Sequence, residues 1–243
     1  MTTIVRIAIA LLISLFLSSC GFDIQIGDFG TGKKGNGNVV TDSRKITDDF
    51  TKVSASEGLN VYVTQADDFS IDIEADDNII DLIATDINNG KLRIHTLENI
   101  GDATKNIYVS LPEVTVLAAS SGAHLETKST IKASELEVDG SSGAVLELMI
   151  VSNEIDIDVS QGSNLNISGS SDEAVVDVSS GGNINAKNLE TQNCNAEASS
   201  GGNVRIQVSQ SLVADAGSGG NISYSGDPTV EAKKSVSGSV HQY

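Results

Sequence analysis

Between residues 117 and 224 apolar and polar positions alternate with a period of two, and the alternation restarts at regular intervals. The restart is marked by a short motif: Ser120-Ser121-Gly122, Ser141-Ser142-Gly143, Ser160-Gln161-Gly162, Ser179-Ser180-Gly181, Ser199-Ser200-Gly201 and Gly217-Ser218-Gly219, with a weaker copy at Val236-Ser237-Gly238. Successive glycines are 18 to 21 residues apart. Three positions after them stand Leu125, Leu146, Leu165, Ile184, Val204 and Ile222. Five positions before them stand Leu117, Val138, Ile157, Val176, Ala196 and Ala214. Period-two alternation is the signature of strands with one buried face. A unit near 19 residues is too small to bury its own apolar face, so the units must stack, each adding about 4.8 Å of length. The expected fold is all-β, a parallel β-helix (β-solenoid) with coils of about 19–20 residues. Right-handed winding is the default for parallel crossovers.

The glycines supply a corner with positive φ at no steric cost, and the paired serines can bond the backbone there. Asn164, Asn183, Asn203 and Asn221 each lie two residues after a repeat glycine. Stacked, they predict an amide ladder; structural stacking at a corner is favoured over a polar binding strip. Val53 to Val63 fits the same template around Gly58, as a degenerate first coil. The next repeat glycine comes 64 residues later, so residues 46–111 are expected to form an irregular N-terminal cap and 112–240 the repeat coils. Within the cap, Asp76 to Ile87 carries isoleucines at mixed helical spacing and predicts one short helix ending before Asn88-Asn89-Gly90. Around Gly238 the usual inward positions hold Glu231, Lys233 and Ser235, which predicts a broken phase and a capping coil.

The N-terminus adds an address. Arg6, an apolar run from Ile7 to Leu17, and Leu17-Ser18-Ser19-Cys20 read as a lipoprotein signal peptide over 1–19, with Cys20 the lipidated residue. Acyl chains there would be the membrane anchor. Residues 20–45 hold Gly27, Gly30, Gly32, Gly35 and Gly37 without apolar periodicity, the composition of a flexible tether. Gly21 after the cysteine favours the outer membrane, with surface or periplasmic face left open.

Composition then narrows the chemistry. A formal charge of −18 repels nucleic acid. Aromatics are only 4% of the 243 residues, so the core must be built of small aliphatics. No cofactor or metal site is read from the sequence. The pairs Asp48-Asp49, Asp67-Asp68 and Asp76-Asp77 lack calcium-loop spacing and read as solvated surface. His95, His124 and His241 are dispersed, and His124 takes the Asn position of later coils. Cys194 falls at an inward position and reads as a buried small hydrophobe. No catalytic residues are assigned.

The order of lipobox, Asn60-Val61-Tyr62-Val63, the Asp76–Ile83 segment, Gly90-Lys91-Leu92-Arg93-Ile94, serial Ser-Ser-Gly coils and Gly226-Asp227-Pro228 resembles the auto-transporter adhesin head GIN domain family over residues 46–240. The resemblance implies a secreted or lipid-anchored β-helix protein and carries no catalytic motif. The expected function is a non-enzymatic binding or adhesion module of the cell envelope, with a host or envelope glycan or protein as ligand. The alternatives are a periplasmic structural or assembly scaffold, a homo-oligomer through solenoid ends, and, behind both, a β-helix carbohydrate-active enzyme.

Overall fold

A computed structural model describes residues 32–243. The signal segment 1–19, Cys20 and the first part of the expected tether lie outside the described residues. From Gly32 onward the tether expectation gives way to order. The Lys33 N–H donates to Asn99 O at 2.9 Å, and β1 (Val39–Ser43) forms a strand. Asp76 fixes this segment: its buried carboxylate accepts the N–H groups of Gly37 and Thr104. A glycine-rich composition left the segment without a hydrophobic signal; what orders it is hydrogen bonding, to the buried Asp76, to Asp77 and Asn78, and to the backbone of Asn99 and Asp102.

Three strands follow: β2 (Lys52–Ala55), β3 (Asn60–Gln65) and β4 (Ser70–Asp76). β1 and β4 pair antiparallel, Val39 to Asp76 through Ser43 to Asp72. The helix expected over Asp76–Ile87 is not formed. Only Ile80–Leu82 makes a 3-10 turn, capped by the Arg44 guanidinium, which donates to Ile80 O and Ile83 O. The rest is β5 (Ile83–Asn88), a hairpin with β6 (Lys91–Thr96). The competing signal was local. Asn89 and Gly90 both have positive φ, 51° and 72°, the two-residue hairpin turn that matches strand twist. With β-branched Ile83, Thr85 and Ile87 alternating before it, that turn outweighs the helical spacing.

Next come β7 (Lys105–Leu111), β8 (Val116–Ala119) and β9 (His124–Thr127). Their pairing explains the 64-residue gap. β2 lies between β6 and β8, and β3 between β7 and β9, all parallel. The coil around Gly58 therefore sits directly on the coil around Gly122, with the Gly58 N–H donating to Ser121 O at 3.0 Å. The chain winds one coil, builds the cap, winds a second coil on the outer side of the first, and then steps past both. Residues 46–111 thus contribute two coils as well as a cap. The step at Pro112–Thr115 is tied down by Thr115 N–H to Thr51 O and by the Gln65 amide, which bonds Pro112 O and Lys132 O.

Beyond it the coils stack in sequence order: β10 (Ile131–Gly140), β11 (Val145–Val159), β12 (Asn164–Val178), β13 (Asn183–Ala198) and β14 (Asn203–Ala216). The whole is a β-solenoid of about 7 turns. Inward columns such as Leu117, Val138, Ile157, Val176, Ala196 and Ala214 are buried. At each corner the residue before the repeat glycine also has positive φ, from Ser121 at 51° to Ser218 at 49°. Inside the second bend of the coil a hydroxyl replaces the hydrophobe. Ser152 donates to Ser171 at 3.0 Å, and Thr191 to Gln207 O at 2.7 Å.

The last elements are β15 (Asn221–Ser225), β16 (Thr229–Lys234) and β17 (Ser239–Gln242). β16 lies on β14 and β17 on β15. The phase is not broken here. Asp215 pairs with Lys233 and Val213 with Glu231, so both charges point outward. Gly238 is the counterpart of Gly220 rather than Gly219: each donates its N–H to the oxygen three residues back, Ser235 and Gly217. The repeat motif at Val236-Ser237-Gly238 is out of frame by one residue.

Candidate binding faces of the solenoid

Each coil presents two outward sets of side chains, one from the strand after the corner and one from the strand before it. Parallel in-register stacking aligns them in columns with neighbours about 4.8 Å apart.

The first face is rich in amides. Asn164, Asn183, Asn203 and Asn221 stand in one column, as their spacing implied, and Asn106, Asn60, His124 and Val145 continue it. Asn60 donates to Asn106 Oδ1 at 3.1 Å within this column, but the four repeat asparagines do not form the expected amide ladder. Asn164 and Asn203 turn back to the carbonyls of Gly162 and Gly201, at 3.4 and 3.0 Å. Among the regular coils an amide bond between neighbours sits one column over, from Asn185 to Asn166 Oδ1 at 3.0 Å. These residues and Arg205 line a shallow groove of about 270 Å³. At the N-terminal end of the face Tyr62 and Tyr108 stack at 5.1 Å, with Lys128 Nζ 4.5 Å from the Tyr62 ring centre. This cluster is self-satisfied: Tyr108 donates to Glu74 and Lys128 to Glu126. Burial and the Glu74 carboxylate push the Tyr108 phenol up.

The second face is acidic. Glu135, Glu154 and Glu173 form one column. Glu137 and Asp156 form the next. Asp139, Asp158, Asp177, Glu197 and Asp215 form the third. Toward the cap the same columns carry Lys52, Lys91 and Arg93. A groove of about 540 Å³ lies where the two regimes meet, lined by Lys52, Glu135, Glu137, Glu154, Asp156 and Glu173 with Val116 and Val175 between them. The sequence carried this face openly, as Glu135-Leu136-Glu137-Val138-Asp139 and Glu154-Ile155-Asp156-Ile157-Asp158. Charge counted along the chain hides it; charge counted by strand phase reveals it.

Like charges one coil apart resist ionising together. Burial first, then the Glu137 and Asp158 charges, raise the Asp139 carboxyl to about 6, opposed by Lys91. Asp177 is raised in the same way by burial, Glu197 and Asp158. A carboxyl raised in the folded state binds a proton there before it does in the unfolded chain, so stability increases as pH falls. The urea midpoint is expected to rise as pH falls from above 6 toward 4, and Asp139→Asn to flatten that rise while raising the midpoint at pH 7.5. A midpoint that stayed level or fell over this range would contradict the arrangement. Below that window the sign reverses, because backbone and side-chain bonds from Thr96 hold Glu57 low, and amides of Asn38 and Asn36 hold Asp77 low.

The remaining candidates resolve simply. Cys194 is buried, and burial pushes its thiol up to about 12, so it is an inert core residue. Asp76 is a structural acceptor and Asp77 bonds the Asn36 and Asn38 amides. Among the described residues no three His, Cys, Asp or Glu side chains gather as a metal site, and no helix is long and apolar enough to cross a membrane.

The family model described as "Putative auto-transporter adhesin, head GIN domain" matches residues 49–228. Solved structures share the fold. A "putative adhesin" from Bacteroides fragilis superposes with a TM-score of 0.80 at 19% identity, covering 87% of this chain and 100% of its own. A second, from Parabacteroides distasonis, gives 0.72 at 18%, covering 87% and 99%. A "putative lipid binding protein" from Parabacteroides distasonis gives 0.69 at 19%, covering 86% and 98%. No curated protein matches the chain.

Proposed function

Because the chain belongs to the head GIN domain family, we propose that it is a cell-envelope lipoprotein, anchored through Cys20, whose solenoid is a non-enzymatic adhesion module that binds along its acidic face. One observation carries this reading. The groove between Lys52 and Glu173 lies on an in-register surface where carboxylates repeat once per coil and the exposed Val175 lies among them. Such a surface suits an extended ligand that lies across several coils and presents positive charge with some apolar area. The names of the structural relatives agree with a binding role, and the lipobox agrees with the envelope. The outer membrane is the proposed site.

The test uses the full-length protein in its cells. Intact cells are challenged with protease, and purified protein is screened on arrays of glycans and matrix proteins. Surface exposure is expected, with a bound ligand whose affinity falls with salt. Neutralising the groove with Glu154→Gln, Asp156→Asn and Glu173→Gln should weaken binding by about tenfold or more with the melting temperature unchanged or raised. Full affinity in that triple variant would remove the acidic face from the proposal. Protection in intact cells with loss after lysis would place the protein in the periplasm and favour a scaffold.

A further inference from the structure

The two ends of the solenoid are finished differently. At the N-terminal end the coil of β6 and β7 is covered by the antiparallel strands β4 and β5, with β1 outside β4. At the other end β16 pairs only with β14 and β17 only with β15. Among the described residues nothing lies on their outer edges. Each edge presents a row of unpaired N–H and C=O groups, a template for another strand. The inward side chains of this last coil are also incompletely covered: Val230 and Val240 are half-buried and Ala232 is exposed, whereas their counterparts one coil back are buried.

The sequence of β16 decides what can pair with it. Thr229, Glu231 and Lys233 face outward, and Val230, Ala232 and Lys234 inward. Antiparallel pairing of this strand with a second copy of itself keeps outward residues opposite outward residues. With the two-fold axis at Ala232, Glu231 lies opposite Lys233 of the other copy and Lys233 opposite its Glu231, while Ala232 meets Ala232. Shifting the axis by one step of the pleat sets Glu231 against Glu231, or Lys233 against Lys233. Opposite charges directly across an antiparallel pair stabilise and like charges destabilise, so the strand is self-complementary in one register. Lys234, at the end of the inward row, can run its stem over the Val230 of the other copy and keep its ammonium in water.

We propose that two copies of this chain join end to end through β16, related by a two-fold axis at Ala232, into a rod of doubled length. A two-fold contact is closed, so it makes a dimer and not a filament. The rod leaves both lateral faces free and carries a cap at each tip. This goes beyond the adhesion proposal and does not depend on it, since it concerns a surface that the acidic groove does not reach.

The test is cross-linking of the full-length chain extracted in mild detergent. Residues facing each other across an antiparallel pair have Cα atoms about 4.5–5.5 Å apart, within disulfide range. Under mild oxidation Ala232→Cys is expected to give a disulfide-linked dimer, and Thr229→Cys, three positions from the axis, is not. Without cross-linking, light scattering should give twice the chain mass. Lys233→Glu should weaken association by about tenfold, because both ion pairs become like-charge pairs. Combining it with Glu231→Lys should restore the dimer. All four changes are on an exposed edge strand, and unchanged melting curves would show that each variant folds. A monomer at every concentration, equal cross-linking at both positions, growth into filaments, or failure of the charge swap to restore association would each overturn the proposal.

Discussion

Gly169→Ala is expected to destabilise the solenoid by more than about 4 kcal/mol, beyond the range of ordinary substitutions. Gly169 sits in the second bend of the coil, with φ +119°, a region open essentially to glycine alone. It pairs with Ile150 in the coil beneath. A Cβ there would lie 1.8 Å from Ile150 O, a backbone atom held on both sides by the ladder and unable to yield. The substitution therefore adds a clash between coils to a strained backbone. Gly162→Ala is the control. Its φ is +73°, yet an added Cβ would meet nothing within 4 Å. Only the conformational cost remains, about 1 kcal/mol. Urea melts of the two variants should separate these contributions. Equal midpoints would show that the coils are not held at the spacing described.

The second large effect is expected at Leu117. This residue pairs with Val53 on one side and Val138 on the other, at the seam where the chain rejoins the stack after its detour. All three side chains are fully buried. Leu117→Ala should cost about 3–5 kcal/mol, the transfer of the deleted atoms plus a cavity between coils that cannot collapse independently. Its effect on unfolding should be distinctive. In a stacked array each unit is supported by its neighbours, and here the neighbour Val53 is 64 residues distant in sequence. Hydrogen exchange at low urea is expected to show β2, β3 and the cap losing protection before β12 and β13 do. Uniform loss along the rod would mean the seam is no weaker than the regular coils.

What could be read from the sequence follows the range of the interactions. The regular coils were legible because Leu125, Leu146, Leu165, Ile184, Val204 and Ile222 repeat in phase with a glycine corner, and each unit stacks on its neighbour in sequence. Which strand pairs with β2 is a different kind of question. Both β6 and β8 offer it a matching apolar phase, through Leu92 and Ile94 or Leu117 and Ala119, and local pattern contains nothing that chooses both. Order in the segment from Gly32 to Ser43 has no apolar stripe behind it and comes instead from hydrogen bonds to Asp76, Asp77 and the backbone around Asn99 and from pairing with β4. The acidic face needed only a sum by phase. In the amide column Asn164 and Asn203 find nearer acceptors in their own corners than in the next coil, a choice of partner that residue spacing does not encode.

The interleaved first coils set where the rod can change length. Between Gly122 and Gly219 each coil offers its successor the same inward phases and corner that it received from its predecessor. Loss or duplication of one unit there leaves two surfaces that still match. On the cap side the same event would strand β2 between partners drawn from two separate stretches of chain. Recombination among the coding repeats thus has a permitted side and a forbidden one. The length of the rod is therefore a variable of the regular coils alone, while the cap and its interleaved coils pass from one length variant to the next unaltered.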